Sequence, residues 1–265
     1  MKLSKTITSI VTTIILLYVL LLVYAHFFSD SLIFFPPTPG YRNSAELVTL
    51  SILNGNRISA HYLKHEKSRY TILISHGNAE DLGSMGPFLH AVREHGFSVL
   101  CYDYPGYGLS YGVPTEHGSY HASIAAYSYL TEQLGIHSST IIVYGYSLGA
   151  AMALNLAVSR PVAAVILQGG FVSAFRVVTR FSVIPFDKFN NLTKIAMLSV
   201  PLLVIHGTND LTVPFWHGKK IYDSYAGRKE LYIVNGAGHN DLIGLAGEEY
   251  WARIETFIVN NLTEA

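Results

Sequence analysis

Charged residues are scarce in this chain of 265 residues. Asp, Glu, Lys and Arg make up 14% of it, against about 25% in an ordinary soluble domain. Hydrophobic residues make up 50%, and the mean hydropathy is +0.30. Acidic and basic residues number 18 each, and removing Lys2 and Lys5 of the N-terminal segment leaves 16 basic residues against 18 acidic ones. We therefore expect no nucleic-acid partner, because phosphate binding needs clustered Lys and Arg. The composition favours a membrane segment, a large core, or both.

Cysteine is nearly absent as well, since Cys101 is the only one in the sequence. One thiol excludes an intramolecular disulfide framework and a cysteine-rich zinc site. His61 with His65, and His117 with His121, have the spacing of helical metal ligands. The first pair lies on or beside a predicted strand, and the second has no third ligand nearby. We therefore expect no bound metal and no cofactor.

The longest apolar run lies near the N-terminus. From Ile7 to Ala25 there are 19 residues without a charge, and as a helix they would span roughly 28 Å. Two lysines precede the run and Asp30 follows it, which predicts a cytoplasmic N-terminus and places the rest of the chain on the non-cytoplasmic side. Val23-Tyr24-Ala25 also fits the cleavage pattern of a signal peptide, after which the protein would be secreted. We expect residues 1–29 to be a single-pass transmembrane anchor, with the signal peptide as the alternative.

The rest of the chain, residues 30–265, is predicted to form one domain after a Pro-rich connector at residues 35–40. Asn54-Gly55 lies between two strand-like segments and predicts an antiparallel hairpin, Glu46–Ile52 with Arg57–Leu63. Short apolar runs then alternate with helix-compatible stretches, which indicates an α/β fold with a mostly parallel sheet covered on both faces. The predicted strands are Thr71–Ser75, Ser98–Asp103, Thr140–Tyr144, Val162–Gln168, Leu202–Ile205 and Leu231–Val234. The predicted helices are Phe88–Glu94, His121–Leu134, Leu148–Ser159, Phe215–Tyr225 and Glu248–Asn260.

A Gly-x-Ser-x-Gly motif surrounds Ser147 and lies between a predicted strand and a predicted helix. This context is typical of a nucleophilic serine on a sharp turn. Gly145 and Gly149 fit that turn, because side chains there would collide with neighbouring backbone. The alternative is a tight glycine turn whose serine merely caps the helix that follows.

A serine hydroxyl needs a base, and the expected order along the chain is serine, acid, histidine. Asp210 and His239 each follow a predicted strand on a glycine-containing loop, so we predict them to be the acid and the base. His206 is the nearest competing histidine, and we expect it to hydrogen-bond loop backbone. Asp241 is too close in sequence to His239 for easy pairing, and Asp187 lies in a segment interpreted as a lid.

The same chemistry needs two backbone N–H groups directed at the developing oxyanion. We predict that Asn78, after the strand Thr71–Ser75, and Leu148, after the nucleophile, supply them. The alternative for the loop that contains Asn78 is a plain strand-to-helix turn. Because donation would come from the backbone, we expect substitution of Asn78 to have a smaller effect than its position suggests.

Five segments together resemble an α/β-hydrolase, and in particular the membrane-associated serine hydrolases that include protein depalmitoylases. They are Ser75–Gly83, Tyr102–Gly108, the Gly-x-Ser-x-Gly motif, Val204–Asp210 and Gly236–Asp241. The resemblance covers nearly everything after Asp30, and it implies Ser147, Asp210 and His239 as a catalytic triad. Those depalmitoylases typically carry a lipidated N-terminal cysteine cluster. This chain has an apolar span there instead, so its anchoring differs.

Residues 171–200 separate two predicted strands and contain five phenylalanines, which we interpret as a small apolar lid above the serine. Such a lid suits an acyl chain, although the same rings could pack the segment onto the body. The sequence thus predicts a serine hydrolase that cleaves acyl esters or thioesters through an acyl-enzyme, with a lipid-like substrate and the membrane as its partners. The alternatives are a serine peptidase or amidase on the same fold, and a membrane-tethered binding protein without turnover.

Overall fold

An eight-stranded sheet organises the part of the chain that the computed structural model describes, residues 2–53 and 55–262. The predicted strands are all present, with ends shifted by at most two residues. They are β1 (Leu47–Ser51), β2 (Arg57–Leu63), β3 (Thr71–Ser75), β4 (Ser98–Tyr102), β5 (Ile141–Tyr146), β6 (Ala164–Gln168), β7 (Leu202–Gly207) and β8 (Lys229–Val234). Met1 of the predicted anchor and residues 263–265 of the predicted domain lie outside the described residues.

The order across the sheet is β1-β2-β4-β3-β5-β6-β7-β8. The predicted hairpin is confirmed, since β1 pairs with β2 in antiparallel register, Leu47 opposite His61. Asn54 of its turn lies outside the described residues. The pair β2–β4 is also antiparallel, and every pair from β4 to β8 is parallel. The prediction of a mostly parallel sheet is therefore confirmed.

Helices follow most strands, and two of them begin well before the residue that the sequence suggested. The second helix starts at Leu82 rather than Phe88 because Asp81 and Ser84 form a reciprocal capping box. The third starts at Glu116 because the Thr115 hydroxyl accepts a hydrogen bond from the Gly118 N–H at 3.0 Å. The helices are α1 (Lys2–Ile33), α2 (Leu82–Glu94), α3 (Glu116–Ser128, continued by a π turn at Tyr129–Gln133), α4 (Gly149–Ser159), α5 (Ala174–Val178), α6 (Asn191–Met197), α7 (Trp216–Ser224), α8 (Leu242–Ala246) and α9 (Glu248–Leu262).

Apolar side chains cover both faces of the sheet. On one face the core includes residues of α3, α4, α6 and α7, and on the other it includes residues of α2, α8 and α9. The two cores explain why the sequence of β5 is continuously apolar. Ile141 and Val143 belong to the first core, whereas Ile142 and Tyr144 belong to the second. A strand buried on both faces lacks the polar alternation of a half-exposed one.

Helix α1 is long and apolar enough to cross a membrane or to serve as a signal sequence, with a mean hydropathy of 2.5 over a window that is 0% buried. It continues across residue 29 without a break, and its last turns contact the body. Asp30 forms an ion pair with Lys188 at 3.0 Å. The Tyr18 hydroxyl donates a hydrogen bond to the Val183 carbonyl at 3.1 Å. Directly after the helix, Phe34 is buried in the core.

The Pro-rich connector after α1 packs against the body instead of extending from it. The Gly40 N–H donates a hydrogen bond to the Asp81 carboxylate, and the Tyr41 hydroxyl donates to the buried Asp103. Close backbone contact accompanies these bonds, because a Cβ on Gly83 would lie 2.6 Å from the Gly40 carbonyl carbon. The connector therefore fixes the end of α1 relative to the sheet.

Residues 169–201, here called the β6–β7 segment, contain α5 and α6. Phe171 and Phe189 are buried in the core, so these two rings pack the segment onto the body. Phe181 is exposed, while Phe175 and Phe186 are half-buried. Two of the five phenylalanines therefore have the packing role, one of the two roles that the sequence left open.

The buried imidazole of His217 joins α7 to the start of the β6–β7 segment, because its Nδ1 accepts a hydrogen bond from the Val172 N–H at 3.2 Å. Burial, then the nearby His206 and Arg176, lower the pKa of His217 to about 4. In the unfolded chain a histidine titrates near 6.5. Acid therefore protonates the unfolded state first, and the free energy of unfolding should fall as the pH decreases from about 6.5 to about 4.

Thermal unfolding of the full chain in detergent across this pH range would test the prediction. His217→Asn keeps an acceptor near Nδ1 and should show a shallower loss of stability. The exposed His90→Asn is the matched control and should follow the wild-type curve. Parallel curves for wild type and His217→Asn would contradict this assignment.

Candidate active site

Ser147 lies at the turn between β5 and α4, at the carboxyl end of the sheet. Its φ is 52°, a left-handed conformation that is uncommon for a residue with a side chain. The Ser147 N–H donates a hydrogen bond to the Gln168 carbonyl at 2.9 Å, which ties the turn to β6. The residue is half-buried. Among the described residues, the hydrogen-bond partner of the Ser147 hydroxyl is His239 rather than a backbone N–H of α4, so the serine does not cap that helix.

Glycine is required on both sides of the turn, as the sequence predicted. A Cβ on Gly145 would lie 2.5 Å from the Ala150 Cα, and a Cβ on Gly149 would lie 1.9 Å from the Ser75 carbonyl oxygen. Both neighbours are backbone atoms that cannot rotate away. The turn can thus approach the end of β3 only without side chains at these positions.

The structure brings the three residues of the predicted triad into one hydrogen-bonded chain. His239 Nε2 lies 2.8 Å from the Ser147 hydroxyl oxygen, and His239 Nδ1 lies 2.6 Å from the Asp210 carboxylate. Asp210 follows β7, and His239 follows β8. Parallel strands end at the same edge of the sheet, which explains why distant segments of the sequence meet there.

Asp210 is a buried carboxylate held from several sides. Its Oδ1 accepts hydrogen bonds from the N–H groups of Thr212 at 2.9 Å and Val213 at 2.7 Å. Burial alone would raise the pKa of this carboxyl, but hydrogen bonds from His206 and His239 outweigh burial and lower it. The side chain is therefore ionised when it meets the imidazole of His239.

The competing residues have other partners. His206 Nε2 donates a hydrogen bond to the Val213 carbonyl at 2.8 Å, which confirms the expectation that His206 binds loop backbone. The same nitrogen also lies 3.4 Å from the Asp210 carboxylate. Asp241 accepts a backbone N–H of its own loop at 2.7 Å. Asp187 accepts a serine hydroxyl of the β6–β7 segment at 2.6 Å. Within the described residues, Asp210 is the carboxylate paired with His239.

The two predicted oxyanion amides lie on the loop after β3 and at the start of α4. Within residues 2–53 and 55–262, the backbone N–H groups of Asn78 and Leu148 have no acceptor in the protein, so both can donate to a substrate. The neighbouring Gly77 N–H is occupied, because it donates to the Glu80 carboxylate at 2.6 Å. Burial raises the pKa of Glu80.

The side chain of Asn78 is engaged as well, which argues against the expectation that substituting Asn78 has a small effect. Its Oδ1 accepts the Phe35 N–H at 2.9 Å and the Tyr107 hydroxyl at 2.5 Å. Its amide nitrogen donates to the Ile33 carbonyl at the end of α1. Substituting Asn78 would therefore remove the hydrogen bonds that join this loop to the end of α1. No sequence pattern indicates this consequence.

Sequence reasoning also missed Tyr146, which precedes the serine. Its ring stacks on the His239 ring with centroids 5.3 Å apart, and its hydroxyl donates to Asn240 Oδ1 at 2.6 Å. Tyr146 thereby positions the loop that carries the histidine. An aromatic residue beside the serine was visible in the motif, but nothing in the sequence connected it to Asn240.

A second buried histidine supports the loop after β3. His76 Nε2 lies 3.4 Å from Asp103, and both side chains are inaccessible to solvent. Burial alone would lower the pKa of His76, but the hydrogen bond and the charge of Asp103 outweigh burial and raise it. The Tyr104 hydroxyl donates to the His76 carbonyl at 2.5 Å. The tyrosine-rich motif after β4 thus shapes this loop.

Comparison with known proteins identifies the family of this chain. A family model described as serine aminopeptidase, S33, matches residues 66–192. Human alpha/beta hydrolase domain-containing protein 17B is 37% identical over 212 residues, which cover 78% of this chain and 73% of the relative. The chain belongs to the α/β-hydrolase family. The mouse 17C protein is 38% identical over 212 residues, covering 78% of this chain and 65% of the relative.

The Pyrococcus furiosus esterase Pf2001 has the same fold as this α/β-hydrolase. Their TM-score is 0.73 at 20% sequence identity, and the match covers 86% of this chain and 100% of the esterase. The predicted α/β-hydrolase fold is confirmed, including the apolar helix that precedes it. Family membership also makes the protein a hydrolase.

The close approach at the serine turn leads to a stability prediction. Gly149→Ala should lower the free energy of unfolding by about 3 kcal/mol or more, because its Cβ would overlap the Ser75 carbonyl oxygen. Gly244→Ala is the matched control, since this glycine lies inside α8 with nothing within 4 Å of an added Cβ. It should raise stability by up to about 1 kcal/mol. Thermal unfolding in detergent measures both, and equal stability of the two variants would show that the turn can relax.

Proposed function

We propose that this hydrolase cleaves acyl esters or thioesters, with Ser147 as nucleophile, His239 as base and Asp210 as the residue that orients the base. The observation that carries the proposal is the pair of short contacts at His239, 2.8 Å to the serine and 2.6 Å to the carboxylate. A nucleophile, a base and an orienting acid within hydrogen-bond reach form the arrangement that acyl transfer needs.

In the first step the Ser147 oxygen attacks the substrate carbonyl carbon while its proton passes to His239 Nε2. The N–H groups of Asn78 and Leu148 stabilise the negative oxygen of the tetrahedral intermediate, and each such donor contributes about 3 to 4 kcal/mol. The intermediate collapses, and the alcohol or thiol leaves with the proton from His239. Water then attacks the acyl-enzyme by the same route and releases the acid and the free serine. The ionised Asp210 stabilises the imidazolium in both steps.

An ester or thioester is favoured because the segment beside the site is apolar. We propose residues 171–200 as a small lid, supported by the half-buried Phe175 and Phe186, which are not part of the core. The second candidate is a peptidase or amidase, which the serine aminopeptidase family model supports. A non-catalytic binding protein is disfavoured, because it would not need the contacts at His239.

The proposal extends to residues 1–29, as a single-pass anchor that keeps the hydrolase domain, residues 30–265, on the non-cytoplasmic side. Lysines before the apolar run support this orientation. Contacts between α1 and the β6–β7 segment support a retained helix, because cleavage after Ala25 would remove Tyr18 and its bond to Val183.

Ser147→Ala should abolish ester hydrolysis and covalent labelling by a fluorophosphonate probe. Loss of a serine nucleophile lowers the rate by roughly a millionfold in comparable enzymes, whereas the small side chain leaves the turn intact. The exposed Ser199→Ala is the control and should match wild type. Both would be assayed with p-nitrophenyl butyrate, an acyl thioester and an aminoacyl p-nitroanilide. Residual turnover by purified, folded Ser147→Ala would remove Ser147 from its role, and turnover of the anilide alone by wild type would favour the peptidase.

The anchor leads to a prediction about location. The protein should stay in the membrane fraction after a carbonate wash and keep its N-terminal segment, because a transmembrane helix inserts effectively irreversibly. N-terminal sequencing and protease treatment of sealed cells would measure both properties. A soluble mature form that begins at His26 would contradict the anchor, and a body protected from external protease would contradict the orientation.

A further inference from the structure

An apolar groove of about 450 Å³ lies between α1 and the β6–β7 segment. This volume is in the range of sites that bind small ligands. Helix α1 forms one wall, and α5 with the chain that follows it forms the other. Characteristic lining residues are Leu21, Tyr24, Leu32, Ile33, Phe175 and Phe186.

Specific polar contacts hold the two walls together. The Tyr18 hydroxyl donates to the Val183 carbonyl at 3.1 Å, and Lys188 pairs with Asp30 at 3.0 Å about three helical turns further along α1. A ring contact between His26 and Phe186, with centroids 5.7 Å apart, lies between them along the helix. The groove is therefore built from fixed contacts.

The chemistry of the lining selects an apolar occupant. Its charged groups already have partners: Asp187 accepts a serine hydroxyl at 2.6 Å, and the Arg176 Nε donates to the Thr179 carbonyl at 3.2 Å. The Ser29 hydroxyl is a buried lining group without a partner among the described residues, so a polar ligand would find few free donors or acceptors. A hydrocarbon chain would bury apolar surface and needs no hydrogen bonds.

Helix α1 also relates the groove to the bilayer. Its apolar window, with a mean hydropathy of 2.5, is exposed to the surroundings of the protein. From Leu21 to Ile33 one side of the same helix lines the groove, over roughly 18 Å at 1.5 Å per residue. When α1 lies in the membrane, hydrocarbon chains of the bilayer are beside the groove.

The other end of the groove reaches the loop proposed to hold the oxyanion. Ile33 lines the groove, and its carbonyl accepts a hydrogen bond from the Asn78 side chain. One lining residue of the groove is thus bonded to the residue whose backbone is proposed to bind the reacting carbonyl.

We propose that this groove binds the acyl chain of a membrane-resident ester or thioester substrate, which enters it from the bilayer alongside α1. The inference rests on the proposed esterase function and narrows it to long-chain acyl substrates. The anchor helix would then form part of the substrate site.

Selectivity for chain length tests this proposal. Ala25 lines the groove, and Ala25→Trp would fill part of it. With the full chain in phosphatidylcholine vesicles, the variant should lower the ratio of kcat/KM for p-nitrophenyl palmitate to that for the butyrate at least tenfold. Val23→Trp is the matched control, because Val23 lies on the same helix, is 46% exposed and does not line the groove. It should keep the wild-type ratio.

An unchanged ratio in folded Ala25→Trp would overturn the groove assignment. An equal loss in Val23→Trp would overturn it as well, because the effect would then come from the helix and the membrane. Wild-type protein that cleaves neither ester would instead overturn the proposed function.

Photo-cross-linking tests the groove without relying on catalysis or on a variant. Palmitic acid that carries a diazirine near its methyl end would be added to wild-type protein in the same vesicles. Peptides from residues 21–33 or 174–187 should carry the label, and excess palmitic acid should compete it away. Labelling confined to other parts of the chain would overturn the proposal.

Discussion

The site depends on one close approach of backbone to backbone, where the start of α4 meets the end of β3. The position of Gly149 against the Ser75 carbonyl leaves no room for a side chain. The contact places the left-handed serine turn beside the loop that follows β3. Ser147 and the N–H groups of Asn78 and Leu148 therefore take their relative positions from the same packing. The hydrogen bond from Ser147 to β6 then fixes the turn within the sheet.

Two histidine–carboxylate pairs lie near this turn, and they differ in how deeply they are buried. His76 and Asp103 are wholly buried and join the loop after β3 to the chain after β4. His239 is half-buried, meets Ser147 with one ring nitrogen and Asp210 with the other, and is stacked by Tyr146. Because His239 is partly exposed, its pair is the one that we propose to exchange protons with a substrate. The buried pair serves the architecture, where an unpaired charge would be costly.

The sequence was sufficient for the features that depend on local pattern. Apolar runs gave the strands, and the glycine motif with its strand and helix placed Ser147. The order of loops after strands gave Asp210 and His239. Features that depend on contacts between distant segments were not predictable in this way. The Asn78 side chain bonds to Ile33, 45 residues away, and Tyr146 bonds to Asn240, 94 residues away. The phenylalanines of the β6–β7 segment looked equivalent in sequence, because only packing separates buried Phe189 from exposed Phe181.

The residues that join α1 to the sheet are all held in place by packing or hydrogen bonds. The helix ends at Ile33, Phe34 is already in the core, and the Phe35 N–H is bonded to Asn78 and Tyr107. A catalytic domain joined to its anchor by a flexible linker samples many heights and tilts above a lipid surface. In the proposed membrane setting, this domain would keep one height and one tilt. The distance between its active site and the membrane would then be fixed. It would cleave bonds in a thin layer near the lipid headgroups and would not cleave bonds held further from the membrane.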